Sequence, residues 1–183
     1  MTGKVYYSRF DSPFGHVFVA STPKGVCLVS FSKITETKFL SLLRQMFHKT
    51  KFKSEAIRDD KALRDVKKNL LDYFNGYPVS FKIPLDLSIG TQFQRKVWRK
   101  VREIPYGELR SYKWVARSIG SAYASRAVGN AVGRNPVAPI VPCHRVICSD
   151  GSLGGYTSGI AIKKRLLNLE GVIADGSSSL LRV

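Results

Sequence analysis

The chain has 183 residues, of which 44% are apolar and 23% charged, enough to fill a core and too apolar for a disordered chain. No apolar run nears the roughly 18 residues of a membrane helix, and the opening MTGKVYYSRF lacks the basic start and apolar stretch of a secretory signal. Lys and Arg number 30 against 13 acidic residues, a formal charge of +17, which points to a polyanionic partner, nucleic acid first, with a merely soluble basic protein as the plain alternative.

Taken in order, residues 5–10, 16–20 and 26–31 are rich in Val, Phe and Tyr and read as three strands. Ser12-Pro13-Phe14-Gly15 and Thr22-Pro23-Lys24-Gly25 supply turns between them, so an antiparallel meander is expected. A helix follows over 36–48, with Phe39, Leu42, Leu43 and Met46 at helical spacing. A second is expected over 59–74, striped by Leu63, Val66, Leu70, Leu71 and Phe74 and stopped at Asn75-Gly76-Tyr77-Pro78. Residues 79–88 carry Pro84 and read as an extended linker, which divides the chain into domains 1–84 and 85–183. The positive excess is shared almost evenly between them, so charge does not say which meets the polyanion.

Beyond the linker the pattern is helical. Thr91 caps a helix whose Phe93, Val97, Trp98 and Val101 form one face, broken at Pro105-Tyr106-Gly107. Ser111 caps a helix over 112–119 that ends at Gly120; the next spans 122–133 and stops at Asn135-Pro136; a last one covers 159–170. The pair around Gly120 reads as a helix-turn-helix. Its second helix carries Gly129 and Gly133 at i and i+4, with Ala127 and Ala131 as a second short-chained row. Glycine inside a helix costs about 1 kcal/mol relative to Ala, so this face is built for close approach. Two readings stand: tight helix–helix packing, or a helix pressed into the minor groove of DNA with Arg126 entering the base stack or binding phosphate.

The three cysteines, Cys27, Cys143 and Cys148, include no CxxC pair, and His16, His48 and His144 are far apart, so neither a disulfide framework nor a metal site is expected. Free thiols suit a reducing, intracellular compartment. Cys27 and Cys148 read as buried inert thiols. Cys143 differs: an apolar, proline-punctuated lead-in over 136–142, read as extended and partly buried, delivers it directly before His144 and Arg145. An imidazole, a guanidinium and the start of a helical turn all favour the thiolate, the nucleophilic form.

Pro142-Cys143-His144-Arg145-Val146 resembles the active-site motif of the alkylguanine-DNA alkyltransferases, the family that repairs O6-alkylated guanine. The companions agree in order and spacing: Ile104-Pro105-Tyr106-Gly107-Glu108, Arg110-Ser111-Tyr112, Ser125 to Ala131, Asn135-Pro136, Gly154-Gly155-Tyr156 and Leu166 to Gly171. The first 84 residues resemble the family's variable N-terminal domain in size and pattern only. The fold expected is therefore α+β: an N-terminal three-stranded antiparallel sheet with helices, then a mainly helical domain holding a helix-turn-helix and the reactive cysteine.

The resemblance implies irreversible transfer of an alkyl group from guanine O6 to Cys143, one group per chain. His144 is then the base, acting through a water, and Glu170 orients it; independently, Glu170 stands out in the last turn of its helix, where the macrodipole disfavours an acid, with surface ion pairing to Lys163, Lys164 or Arg165 as the plain alternative. Asn135 matches the hinge asparagine tying the recognition helix to the thiol segment. Arg126 matches the residue that fills the space of a flipped nucleotide, with Ala127, Gly129 and Ala131 on the DNA-facing helix. Tyr112 matches the tyrosine that expels and hydrogen-bonds the base. Val146, Tyr156, Thr157 and Ser158 line the pocket; Ser158 stands where a glycine is usual and narrows it. The implied partner is double-stranded DNA carrying O6-alkylguanine or O4-alkylthymine, met by a monomer away from any membrane. No cofactor is implied, and the structural zinc of some members is not expected, since only Cys27, His16 and His48 are available to hold it. A thiol hydrolase built on Cys143 and His144, and a lesion-binding relative without activity, are the rival readings.

Overall fold

The computed structural model describes residues 3–48 and 54–172, and divides the chain into units Met1–Ile89 and Gly90–Val183. In the first unit the three expected strands are β1 (Gly3–Ser12), β2 (Gly15–Thr22) and β3 (Gly25–Ser32), paired antiparallel in sequence order. Ser12 makes the first turn by accepting from Phe14 N–H and donating to the Gly15 carbonyl. A fourth strand, β4 (Ser54–Arg58), lies parallel beside β1 and completes the order β3-β2-β1-β4. Its Glu55, Ala56 and Arg58 are exposed, so no alternation of apolar residues announces it.

Helix α1 (Glu36–His48) covers one face of the sheet: Phe39, Leu43 and Phe47 pack with Val5, Tyr7, Phe18, Ala20 and Leu28. Helix α2 covers the other, where Phe74 sits 5.1 Å from Phe14 and 5.2 Å from Phe31. It runs Arg64–Phe74 and so starts later than expected. Asp59 is the reason: its carboxylate accepts from the backbone N–H groups of Lys61 and Ala62, each at 3.0 Å, and makes a turn there instead.

The supposed linker is docked at its far end. Val26 and Leu85 form a parallel bridge, Val26 N–H donates to the Pro84 carbonyl, and Asp86 N–H donates to that of Val26, both at 2.9 Å. Thr22 Oγ1 donates to the buried Asp86 at 2.7 Å. The break consequently falls after Ile89 rather than after residue 84.

The second unit is mainly helical, as expected for this part of an α+β chain. Helix α3 (Gln92–Arg102) opens with a capping box between Thr91 and Gln94, and its Val97, Trp98 and Val101 are buried. A two-residue strand β5 (Arg110–Ser111) leads into α4 (Tyr112–Ser118), capped by the Ser111 side chain. Helix α5 (Ser125–Gly133) begins three residues later than expected, because Ser121 to Ala124 close a turn of their own. Helices α3, α4 and α5 pack together, and Trp98 Nε1 donates to the Ala131 carbonyl at 2.7 Å. A 3-10 turn (Cys143–Arg145), strand β6 (Val146–Ile147) parallel to β5, and α6 (Ile160–Leu169) complete the unit. Among the described residues no helix is long and apolar enough to cross a membrane, and no cluster of three His, Cys, Asp or Glu is placed to hold a metal.

Candidate active site

The segment leading to Cys143 is buried but not extended; it is a run of turns. Asn135 folds it. Its Oδ1 accepts from Val137 N–H at 3.1 Å, and its Nδ2 donates to the Val141 carbonyl at 2.7 Å and to Cys143 Sγ at 3.1 Å. One amide thus shapes the lead-in and touches the sulfur. Cys143 opens the 3-10 turn and is 6% exposed. Burial pushes its thiol up; the Asn135 amide, the Tyr156 hydroxyl and the Lys163 charge pull it back towards the thiolate.

His144 is fully buried, and its Nε2 lies 2.7 Å from Glu170 Oε1. Glu170 is the residue just past α6, and it is buried rather than paired with the neighbouring surface cations. Arg145 grips it from the side: Nε reaches Oε2 at 2.8 Å and Nη2 reaches Oε1 at 2.9 Å. Gly107 N–H donates to Oε2 at 3.1 Å. Burial alone would raise the Glu170 carboxyl, but His144 and Arg145 hold it far below the usual carboxylate range. An ionised carboxylate only accepts, so the His144 nitrogen facing it carries the proton, and Nδ1 is the nitrogen with a lone pair for a proton from the thiol. Burial pushes the imidazolium down, against the pull of Glu170, with Arg145 and Lys163 adding to the fall. The guanidinium expected to favour the thiolate directly is turned instead to Glu170 and to the Ile104 carbonyl, 2.6 Å from Nη1.

Tyr112 stands at the start of α4, half-buried, with its phenol pushed up to about 12 by burial and then by the Cys148 and Cys143 charges. It keeps its proton at neutral pH and is a donor. A methyl on Gly154, at φ 66°, would lie 3.1 Å from the Tyr112 ring and hydroxyl and 3.2 Å from Cys148 Sγ. Cys148 lies beside the tyrosine and is only partly buried, not the buried thiol expected, whereas Cys27 is core, its thiol raised to about 12 by burial. The Tyr156 hydroxyl is buried, and its proton is held tightly by burial and by the Cys143 charge. Val146 is fully buried. Thr157 Oγ1 donates to the Gly133 carbonyl at 2.5 Å, and Ser158 is exposed. A residue missed from sequence is Lys163, fully buried, which donates to the carbonyls of Val146, at 2.6 Å, and Leu153. Burial lowers its ammonium to about 8. Its place in a Lys-Lys-Arg run reads as solvated charge, and only the packing reveals otherwise.

On α5, Arg126 and Ala127 are exposed and Gly129 is half-buried. Ala131, expected on the DNA-facing side, is 3% exposed; it lies on the packed face with Val128 and Val132, where its carbonyl receives Trp98. The glycine row serves close packing, the first of the two earlier readings. A methyl on Gly129 would come within 3.9 Å of the Tyr112 ring, and one on Gly133 within 3.6 Å of Thr157 Oγ1, so the row seats two expected pocket residues while Arg126 and Ala127 face solvent.

Cys143, Asn135, His144, Glu170, Tyr112 and Tyr156 are thus brought to one buried thiol site, bordered by a helix with an exposed arginine at its start. Residues 92–172 match the model for the DNA-binding domain of 6-O-methylguanine DNA methyltransferase, and residues 5–87 match that for its ribonuclease-like domain. The methylated-DNA–protein-cysteine methyltransferase of Methanosarcina acetivorans is 41% identical over 167 residues, 91% of this chain and 99% of the relative. The inducible Bacillus subtilis protein of that name is 38% identical over 166 residues, covering 91% and 90%. The crystal structure of the Mycobacterium tuberculosis O6-methylguanine methyltransferase is similar with a TM-score of 0.75 and 37% identity, covering 94% of this chain and 96% of that one. That of the M. tuberculosis protein in complex with DNA is similar with a TM-score of 0.71 and 38% identity, covering 90% and 92%. The chain belongs to the 6-O-methylguanine DNA methyltransferase family.

Proposed function

We propose that this chain is a stoichiometric DNA repair protein, a methylated-DNA–protein-cysteine methyltransferase that moves the alkyl group of O6-alkylguanine onto its own Cys143. The observation that carries the reading is the sulfur itself: a buried thiol held by the Asn135 amide at 3.1 Å, next to an imidazole whose other nitrogen lies 2.7 Å from a buried carboxylate. The relatives' activity and the DNA complex of the M. tuberculosis protein support the substrate.

The thiol proton passes to His144 Nδ1 through a water, and Glu170 stabilises the imidazolium. A sulfur lone pair forms the bond to the alkyl carbon as the carbon–O6 bond breaks, and its electron pair stays on guanine. Tyr112 donates a hydrogen bond to the departing base, as a phenol raised to about 12 does. The product thioether is a poor leaving group, so one chain accepts one group. Since O6 lies inside the duplex, the nucleotide is flipped out: α5 enters the minor groove through Ala127 and Gly129, and Arg126 fills the gap. Tyr156, Thr157 and Ser158 wall the pocket. The first unit is structural and the second binds and reacts. The protein acts as a monomer inside the cell, where the DNA is.

Intact mass after incubation with excess O6-methylguanine duplex tests this. One methyl group per chain, on the Cys143 peptide, is expected. More than one equivalent of lesion consumed per chain points to a hydrolase, and a bare Cys143 after the lesion has gone ends the proposal.

A further inference from the structure

We propose that Arg145 is a positioning residue that sets the base strength of His144 through a shared carboxylate: the guanidinium grips both oxygens of Glu170, so the carboxylate meets the imidazole already neutralised. This deepens the alkyl-transfer reading and rests on it for its substrate.

The geometry is that of a fork. Nε and Nη2 engage one Glu170 oxygen each, at 2.8 and 2.9 Å, and Nη1 anchors the guanidinium on the Ile104 carbonyl at 2.6 Å. Such a bidentate pair is rigid as well as strong. The Ile104-Pro105-Tyr106-Gly107 turn closes the other side: Gly107 N–H donates to Oε2 at 3.1 Å, the Tyr106 hydroxyl donates to the Leu169 carbonyl at 2.9 Å, and the Arg145 guanidinium stands 5.7 Å from the Tyr106 ring centre. That motif, which the chemistry otherwise leaves without a task, frames the carboxylate.

A buried carboxylate facing His144 alone would make a strong ion pair and trap the imidazolium. With Arg145 as its lasting counter-charge, Glu170 stays ionised but pulls less on the histidine. The charged and titratable groups around His144 are Glu170 and Lys163 at either end of α6, Arg145 on the 3-10 turn, and Cys143 itself. Tyr106 and Tyr156 add to the surroundings of Glu170. Burial lowers the imidazolium most; among these groups Glu170 alone raises it, and Arg145 and Lys163 add to the fall. The base thus stays neutral and ready in the resting protein, and still finds a carboxylate when it takes the proton.

Removing the Arg145 charge makes the Cys143–His144 pair more basic, so the acid limb of reactivity moves to higher pH. Cys143 alkylation by iodoacetamide and methyl transfer from an O6-methylguanine duplex are followed against pH for the wild type, Arg145→Gln and Arg145→Lys. The expected upward shift in Arg145→Gln is about one pH unit, tenfold in proton affinity, with rates recovering at high pH and Arg145→Lys falling between. An unmoved midpoint with rates lowered equally at every pH assigns Arg145 a merely structural role and overturns the proposal. Should Arg145→Gln fail to fold, NMR of the His144 ring nitrogens compares the unmodified protein with Arg145→Lys, which keeps the charge but breaks the fork. A higher titration midpoint in Arg145→Lys is expected, and an unchanged midpoint overturns the proposal. A wild type that labels with iodoacetamide yet takes no methyl group ends the repair reading alone, and the labelling profile still judges Arg145.

Discussion

Two groups around the sulfur are tuned in opposite ways. Burial pushes the Tyr112 phenol up to about 12, so it remains a donor, whereas Arg145 and His144 keep Glu170 an acceptor against the pull of burial. In the proposed reaction, a neutral donor at the leaving group and a fixed carboxylate behind the base suit a displacement in which negative charge passes from sulfur to purine. Tyr112→Phe removes the donor and keeps the ring against Gly154. We expect single-turnover transfer to fall by about 10²-fold, within the range for a lost acid or base, with DNA affinity little changed. Rapid-quench assays on a methylated oligonucleotide check this. From its place before Pro136, Asn135 was legible as a helix stop, and as a hinge only through the family resemblance; its amide on Sγ was not legible, because the turns between them must fold before the two side chains meet.

Helix α5 has two unlike faces. Its packed face holds Val128, Ala131 and Val132, and the opposite side offers Arg126 and Ala127. Period 3.6 puts Ala127 and Ala131 on one stripe, yet the stripe crosses from open to packed along the helix. Arg126→Ala is expected to slow repair in duplex DNA far more than reaction with free O6-alkylguanine base; comparing both rates checks the flipping role. In the first unit the turn between β2 and β3 carries a similar constraint. Gly25 has φ 135°, and a methyl there would lie 2.3 Å from the Pro84 carbonyl oxygen. Both backbone strain and the clash oppose a side chain, so Gly25→Ala should cost about 2 kcal/mol or more, read as a lower melting temperature with the alkyl-transfer chemistry of folded protein unchanged.

Charge acts on the protein as a whole in two ways. A surplus of +17 attracts a polyanion, and phosphate contacts release counterions, so binding to duplex DNA should weaken steeply with salt. Fluorescence anisotropy across a salt series checks this, with a flat response the contrary result. Inside, Glu170 links stability to pH. Its folded-state proton affinity is depressed, so its contribution is complete above the unfolded carboxylate value of about 4.3 and drains away as pH falls below it. Losing one partner of such a buried pair typically costs about 3–5 kcal/mol. Urea unfolding of wild type and Glu170→Gln should therefore differ by several kcal/mol at pH 7, with the gap narrowing steadily in acid.

The sequence by itself determined the α+β order of elements, the reactive cysteine and its His144 neighbour, because turn residues, apolar spacing and adjacency are local properties. It also carried the family motifs that point to Glu170 and Tyr112. Only tertiary structure decided the parallel strand β4, whose exposed residues leave no pattern, and the docking of residues 84–86 onto β3. It alone buried Lys163, turned Arg145 away from the sulfur and towards Glu170, and placed Ala131 inside. The reason is common to all of these: a charged or small side chain carries no record of its burial, which depends on partners brought in from distant segments.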